Sequence, residues 1–177
     1  METWSAIEER HSRRVFEQKP VEWEKLVKIL DAARLAPSAV NFQPWHFVVV
    51  QEPERIKAIV SADQFFNRWM EKAPALIVAC AKEGKFSQID LGMSIENILL
   101  MATDLGLGST PAAVSNKEKL AEIIKCPKDF VPTITIALGY APKEKSLSEK
   151  VVKTILKKKK ALNQVASKEQ FGNKIEE

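Results

Sequence analysis

The sequence predicts an α+β domain with helices packed on one small sheet. Short apolar segments typical of strands are few, and they are dispersed among longer segments whose apolar residues recur at helical spacing. A length of 177 residues suits one domain that buries about 70% of the surface of its unfolded chain. The sequence shows no internal repeat, no low-complexity linker and no second core, so we expect a single core.

The first half of the chain alternates helical and strand-like segments. The apolar spacing over 21–35 predicts a helix, which Pro20 suits as a start and Pro37 stops. The uninterrupted apolar run at 75–81 predicts a buried strand. In order, we expect a short helix ending near residue 10, a helix over 21–35, a buried strand over 45–50, a short helix over 53–60 and a buried strand over 75–81.

A long central helix dominates the second half. Over 86–105 its apolar residues lie on several faces, which indicates a largely buried helix. Gly106 and Gly108 end it in a turn. After this turn we expect a helix over 116–125 with Asn116 as its N-cap, a strand over 133–140, and a final helix with a tail.

Composition excludes several classes of protein. No apolar run approaches the roughly 20 residues that a membrane-spanning helix needs, and residues 1–4 are not typical of a signal peptide. Cys80 and Cys126 belong to no Cys-x-x-Cys pair and to no metal-ligand spacing, so we expect no metal site. These features predict a reduced, cytoplasmic protein without a membrane partner.

The positive charge is confined to the end of the chain. Residues 151–177 contain seven Lys and three Glu, which accounts for the whole net charge of +4. The four lysines at 157–160 are typical of a solvated helix face, and no aromatic residue is interleaved with them. We therefore expect no nucleic-acid partner, with a nucleic-acid-binding tail as the alternative.

The most informative segment runs over 36–50, where a helix ends, a polar loop turns and a strand begins. Two prolines in it fix their own φ angles and disfavour helical conformations for the residues before them. Ser38, Asn41 and Gln43 are therefore presented by a stiff backbone, which suits a planar, hydrogen-bonding ligand. The alternative for each residue alone is a plain connector whose side chains satisfy turn amides.

A second cluster, Arg-His-Ser-Arg-Arg at 10–14, combines guanidinium groups with a hydroxyl. Guanidinium groups remain charged and match the geometry of phosphate, so the cluster suits a phosphomonoester. The alternative is a basic helix end that complements the helix dipole. The cluster alone does not decide between the two.

Together, these two segments resemble the flavin-binding signature of the FMN-dependent nitroreductase superfamily in order and spacing. The second reads Ala-Pro-Ser-Ala-Val-Asn-Phe-Gln-Pro-Trp-His-Phe at 36–47. Glu-Asn-Ile-Leu-Leu-Met-Ala at 96–102 and Leu-Gly-Leu-Gly at 105–108 resemble the family's central helix and glycine turn. The resemblance implies a nitroreductase-like fold, with a small, mainly antiparallel central sheet packed with helices in an interlocked homodimer.

The resemblance also implies two FMN sites at the interface of the homodimer. Arg10 and Ser12 would hold the phosphate, with His11 contributing through its backbone or ring, and Arg14 would reach the N1/O2 edge of the flavin. Pro37, Ser38, Ala39 and Asn41 would contact the flavin from the partner subunit, and Gln43 would assist. The implied cofactor-binding residues are Arg10, His11, Ser12, Arg14, Pro37, Ser38, Ala39, Asn41, Gln43, Asn67, Gly108, Ser109, Thr110 and Lys145.

The sequence departs from the family pattern in two places. The glycine turn continues as Ser-Thr-Pro-Ala-Ala at 109–113, where relatives commonly have a Trp-containing segment. The late basic pair is represented only by Lys143 and Lys145, offset from the expected position. By this resemblance, residues 1–150 form an FMN-binding domain, and 151–177 form a basic C-terminal helix and tail of the same domain or a dimer arm.

The implied function is transfer of a hydride from NADH or NADPH, through flavin N5, to nitroaromatic, quinone or similar acceptors by a ping-pong mechanism. The chemistry would occur on the flavin, so we expect no side chain to act as acid, base or nucleophile, with Arg14 giving electrostatic support. The alternative is a non-catalytic flavin-binding protein that serves as a store or sensor.

Overall fold

The computed structural model describes residues 1–62, 65–142 and 159–175, and only the backbone of Phe65 and Phe66. Nine regular helices and strands are defined in these ranges, with short 3₁₀ helices at Ala39–Asn41, Phe65–Lys72 and Leu162–Gln164. In chain order they are α1 (Thr3–Glu9), α2 (Trp23–Arg34), β1 (Trp45–Val50), α3 (Pro53–Ala62), β2 (Ala75–Lys82), α4 (Ser87–Asp104), β3 (Gly108–Ala113), α5 (Lys117–Ile124) and β4 (Phe130–Gly139).

The chain divides into two compact units, Met1–Pro142 and Lys143–Glu177. The boundary expected at residue 150 lies outside the described residues, so it stays a prediction. The same holds for most of the predicted C-terminal helix, and the described residues 159–175 contain one short 3₁₀ helix.

The first unit is built on a four-stranded sheet with the order β1-β2-β4-β3, and every pairing is antiparallel. This confirms the predicted α+β class with a small antiparallel sheet. Helices cover both faces. Ala75, Ile77 and Ala79 of β2 pack with α2 and α4, whereas Leu76 and Val78 pack with α3 and α5.

Burial follows position in the sheet. β2 is central, and every residue of the predicted run at 75–81 is buried. β1 has the predicted bounds but lies at an edge, so most of its residues are half-buried and only Val50 is fully buried. The expectation of a buried strand at 45–50 is therefore wrong for most of its length, because an edge strand has one neighbour instead of two.

The second edge strand, β3, was not predicted. Gly106, at φ +74°, forms the expected turn after α4, but Gly108 opens a strand instead of continuing the turn. Glycine, proline and small residues carry no alternating apolar pattern, and an edge strand tolerates Pro111 because it lacks a second strand partner. Local sequence therefore did not indicate this strand.

The predicted helices are confirmed with small shifts at their ends. α4 lacks only the first and last residues of the predicted range, and α3 extends two residues beyond its predicted end. The side-chain oxygen of Asn116 accepts a hydrogen bond from the Lys119 amide at 3.1 Å, which confirms the predicted N-cap of α5. Across residues 1–62, 65–142 and 159–175, no helix has the length and apolar character needed to cross a membrane.

The buried position of the Cys80 thiol in this core leads to a testable prediction. Cys80 lies in the apolar cluster formed with α3 and α5, and burial raises its pKa to about 12. At pH 8 about one molecule in 10⁴ would carry the reactive thiolate. We therefore expect the Cys126→Ser variant, which keeps only Cys80, to react with a thiol-specific disulfide reagent in denaturant but not in its native state.

The unsubstituted chain is the control, because both cysteines should react after unfolding. In the native state the half-buried Cys126 should react faster than Cys80, although burial raises the pKa of the Cys126 thiol as well. Rapid labelling of native Cys126→Ser protein at pH 8 would contradict the buried position of Cys80.

Candidate flavin-binding site

The basic segment at 10–14 leaves α1 and runs along the edge of β3. Ser12 forms a parallel bridge with Ser109, and the Arg13 amide donates to the Ser109 carbonyl at 3.1 Å. The Thr110 hydroxyl donates to the carbonyl of Arg13. The structure thus joins two motifs that are about a hundred residues apart in sequence.

Gly108 permits this close approach. A Cβ atom at Gly108 would lie 2.8 Å from both Cβ and Cγ of Arg13, a distance that such atoms do not adopt. The basic segment therefore packs directly on the glycine backbone. Besides their predicted place at the cofactor, residues 108–110 support the basic segment, a role that the sequence did not indicate.

Two arginines of the segment differ in their surroundings. Arg10 is half-buried, whereas Ser12 and Arg14 are exposed. The Arg14 guanidinium lies 5.8 Å from the ring centre of Trp69, which in turn stacks on Phe16 at 6.4 Å. A cation over an aromatic face is attracted by the ring quadrupole, and at an exposed arginine such as Arg14 this attraction contributes about 0.5–1 kcal/mol.

The 3₁₀ helix that carries Trp69 also carries a predicted site residue. Asn67 lies on the same 3₁₀ helix, Phe65–Lys72, and is half-buried. Asn67 is among the residues that the sequence predicts for the site, whereas Trp69 is not. The nearest signal was the concentration of aromatic residues between β1 and β2, which has no clear periodicity.

His11 is oriented by its own backbone. Its Nδ1 atom lies 2.6 Å from the Glu9 carbonyl, at the end of α1, and the geometry fits donation by Nδ1. This bond fixes the ring against the helix end. The prediction that His11 acts through its backbone or ring is untested by this geometry.

The 37–43 loop is closed by its own hydrogen bonds. Ser38 Oγ accepts from the Gln43 amide at 2.9 Å, and the Gln43 side chain donates to the Asn41 carbonyl at 3.2 Å. Val40, Asn41 and Gln43 have φ angles of 46°, 56° and 50°, in the left-handed region that non-glycine residues rarely adopt. Internal bonds and adjacent prolines together hold this backbone.

The loop is attached to α4 by one buried carboxylate. Asp90 Oδ2 accepts a hydrogen bond from the Ala39 amide at 3.2 Å, and Asp90 is 3% exposed. The side chains of Pro37, Asn41 and Gln43 point outward enough to be exposed. The loop is therefore anchored through its backbone and presents its polar groups to solvent.

One chain thus carries two groups of the predicted residues. The basic segment and residues 108–110 form the first on β3, and the 37–43 loop on α4 forms the second. Lys145 lies outside the described residues, so its place in the site stays a prediction. Ser109 Oγ is buried and has no hydrogen-bond partner within the described residues.

The chain matches known proteins over most of its length. Residues 7–64 and 57–140 match the family model described as the Nitroreductase family. A putative NADH dehydrogenase/NAD(P)H nitroreductase of Archaeoglobus fulgidus is 38% identical over 151 residues, which cover 79% of this chain and 86% of the relative.

Solved structures agree with this match. The structure described as an oxidoreductase containing FMN has a TM-score of 0.82 and 26% identity, covering 96% of this chain and 92% of its own. An FMN-dependent nitroreductase of Clostridium difficile R20291 has a TM-score of 0.73 and 28% identity, covering 80% and 88% of the two chains. Sequence and fold therefore agree that this chain belongs to the Nitroreductase family.

Proposed function

We propose that this protein is an FMN-dependent oxidoreductase that takes a hydride from NADH or NADPH and delivers it to a nitroaromatic, quinone or similar acceptor. The docking of the basic segment 10–14 on β3 is the observation that carries the proposal, because it brings the backbone of the segment that bears these guanidinium and hydroxyl groups beside residues 108–110. The names of the A. fulgidus relative and of the C. difficile structure support the same chemistry.

The residues present fit an FMN phosphate. Arg10 offers a planar, permanently charged fork, and the exposed Ser12 offers a hydroxyl two residues later. The buried Ser109 Oγ, which has no hydrogen-bond partner among the described residues, gives the same neighbourhood an unsatisfied polar atom. We assign the phosphate to Arg10 and Ser12, with His11 beside them.

Arg14 would act as electrostatic support. When bound, FMN supplies hydride transfer at its N5 atom, and reduction places negative charge at the N1/O2 edge of the ring. The guanidinium of Arg14, which lies over Trp69, would supply a positive charge to that edge. Asn67 and residues 108–110 would complete the polar surroundings of the ring.

The second half of the site would come from another copy of the chain. Large apolar side chains of α1, α2 and α4 are exposed on a single chain: Trp4 is 69% exposed, Trp23 56% and Ile89 64%. α4 contacts both α1 and α2, and exposed apolar side chains of this size suit burial against a second copy in a homodimer. Pro37, Ser38, Ala39, Asn41 and Gln43 would then reach the FMN whose phosphate the partner holds.

The proposed order of reaction has the two reaction partners occupy the site in turn. The nicotinamide would bind, give its hydride and leave before the acceptor takes the same place, which is a ping-pong order. The side chains named above bind and polarise, and none of them needs to transfer a proton. The sequence at 109–113 differs from the family pattern, which motivates one alternative: a flavin-binding store or sensor without turnover.

The direct test is anaerobic reduction. The purified protein is loaded with FMN and mixed with NADH or NADPH in a stopped-flow instrument, and the visible absorbance of the flavin is followed. Bleaching, followed by recovery when a nitroaromatic or quinone is added, supports the proposal. A protein that stays yellow would be a store or sensor, and one that neither binds FMN nor oxidises NAD(P)H has a different function.

Removing the proposed phosphate ligand should weaken cofactor binding. We expect Arg10→Ala to lower the affinity for FMN by about 1.5–3 kcal/mol, the usual contribution of a hydrogen bond to a charged group. The measurement is flavin fluorescence titration. Arg55→Ala is the matched control, because Arg55 is an exposed arginine of α3 that pairs with Glu52. Equal FMN affinity in both variants would remove Arg10 from the site.

A subunit-mixing experiment tests whether the site is shared. Arg10→Ala and Asn41→Ala homodimers should each bind FMN weakly. A heterodimer with one chain of each kind contains one site with neither substitution if Asn41 of one chain serves the FMN held by Arg10 of the other. We expect tight FMN binding at half the sites of this heterodimer, measured on differentially tagged, co-expressed chains. Two weak sites would place both residues in one chain.

A further inference from the structure

Three polar side chains form a stripe on one side of α4. Asp90, Ser94 and Asn97 are spaced four and three residues apart, which places them on one helical face. Asp90 is 3% exposed and Ser94 is fully buried. Burying a polar group in a helix interface costs free energy unless the group is hydrogen-bonded. The hydrogen bonds of this stripe therefore favour one position of the segments that it contacts.

Two of the three hold the end of α2. Ser94 Oγ donates to the Ala33 carbonyl at 2.7 Å, and the Asn97 amide donates to the Ala32 carbonyl at 3.0 Å. These carbonyls belong to the last turn of α2, where they also accept the amides of Leu35 and Ala36. Ser94 and Asn97 therefore fix the C-terminal end of α2 against α4.

The third member of the stripe holds the loop that follows. Asp90 Oδ2 accepts from the Ala39 amide at 3.2 Å, so the stripe continues from the end of α2 onto the 37–43 loop. Asp90 lies in the first turn of α4. The positive end of the helix dipole favours a charged carboxylate there, and a charged acceptor makes a stronger bond than a neutral one.

The loop needs such an external attachment. Its three left-handed residues, Val40, Asn41 and Gln43, are a strained arrangement that persists only where the surroundings determine it. The internal bonds of the loop fix its shape, whereas the bond from Ala39 to Asp90 fixes where that shape sits on the body of the protein.

We propose that Asp90 is the positioning residue of the flavin loop: its carboxylate sets the place of Ser38 and Asn41 and thereby the affinity for FMN. This inference rests on the proposed function. Ser94 and Asn97 act on the end of α2, so they contribute to stability and not to the position of the loop. Because Asp90 is 3% exposed, the proposal gives it a role through the loop and not through contact with the cofactor.

The test compares variants that each lose one backbone hydrogen bond to α4. We expect Asp90→Leu to raise the Kd for FMN by about 10- to 100-fold, the effect of losing a bond to a charged group. Asp90→Asn keeps an acceptor oxygen and should restore most of the affinity. Asn97→Leu is the matched control, since it loses its bond to α2 and should lower the unfolding midpoint with an FMN affinity close to that of the unsubstituted chain.

A second variant removes the same bond from the loop side. Ala39→Pro deletes the donor N–H, and Ser38, with φ −145° and ψ 155°, already has the extended conformation that a following proline favours. Ala39→Pro should weaken FMN binding as Asp90→Leu does. The double variant should bind no more weakly than either single one, because both substitutions break one interaction.

Several outcomes would overturn the proposal. They are unchanged FMN affinity in Asp90→Leu, equal losses in Asp90→Leu and Asn97→Leu, failure of Asp90→Asn to restore binding, or additive effects in the double variant. If the unsubstituted chain binds no FMN, the proposed function fails on its own. The anchoring is then measured by hydrogen exchange of the Ala39 amide. Its exchange should be slow in the unsubstituted chain, faster in Asp90→Asn and fastest in Asp90→Leu.

Discussion

Burial of β2 on both faces is the constraint on which the first unit depends. Its residues at 75–81 are all buried, so each face must be covered by helices, and the strand must have a neighbour on each side. α4 lies on one face together with α2, and α3 and α5 lie on the other. β4 pairs with β2 on the side away from β1, and β3 pairs with β4. The outer edge of β3 then contacts the basic segment 10–14.

The elements with strong local signals could be predicted from sequence, and those defined by distant contacts could not. The apolar run of β2 and the many-sided apolar pattern of α4 each identify an element without reference to the rest of the chain. β3 is different, because Gly108 and Pro111 look like turn residues in isolation. They form a strand because β4 pairs with one side and Ser12 bridges to the other.

The candidate site also has features that the sequence predicts and features that only distant contacts define. The residue types that suit FMN, such as Arg10 and Asn41, could be named from motif and spacing. The contacts that hold the two segments could not be predicted from sequence. Trp69 contacts Arg14 and Asp90 contacts Ala39, and each contact joins residues that are dozens of positions apart. The polar spacing of Asp90, Ser94 and Asn97 was a readable signal, but only the structure shows that it faces the end of α2 and the loop.

Both halves of the site are attached mainly through backbone groups. Ser109 accepts from the amide of Arg13, and Asp90 accepts from the amide of Ala39. Because each segment is attached through its backbone, its side chains remain free to bind a ligand. Arg10 or Asn41 can therefore be replaced while the segment keeps its place. Substitutions on the supporting side, at Gly108 or Asp90, move a whole segment instead. The two kinds of change therefore separate the binding groups from the frame that positions them.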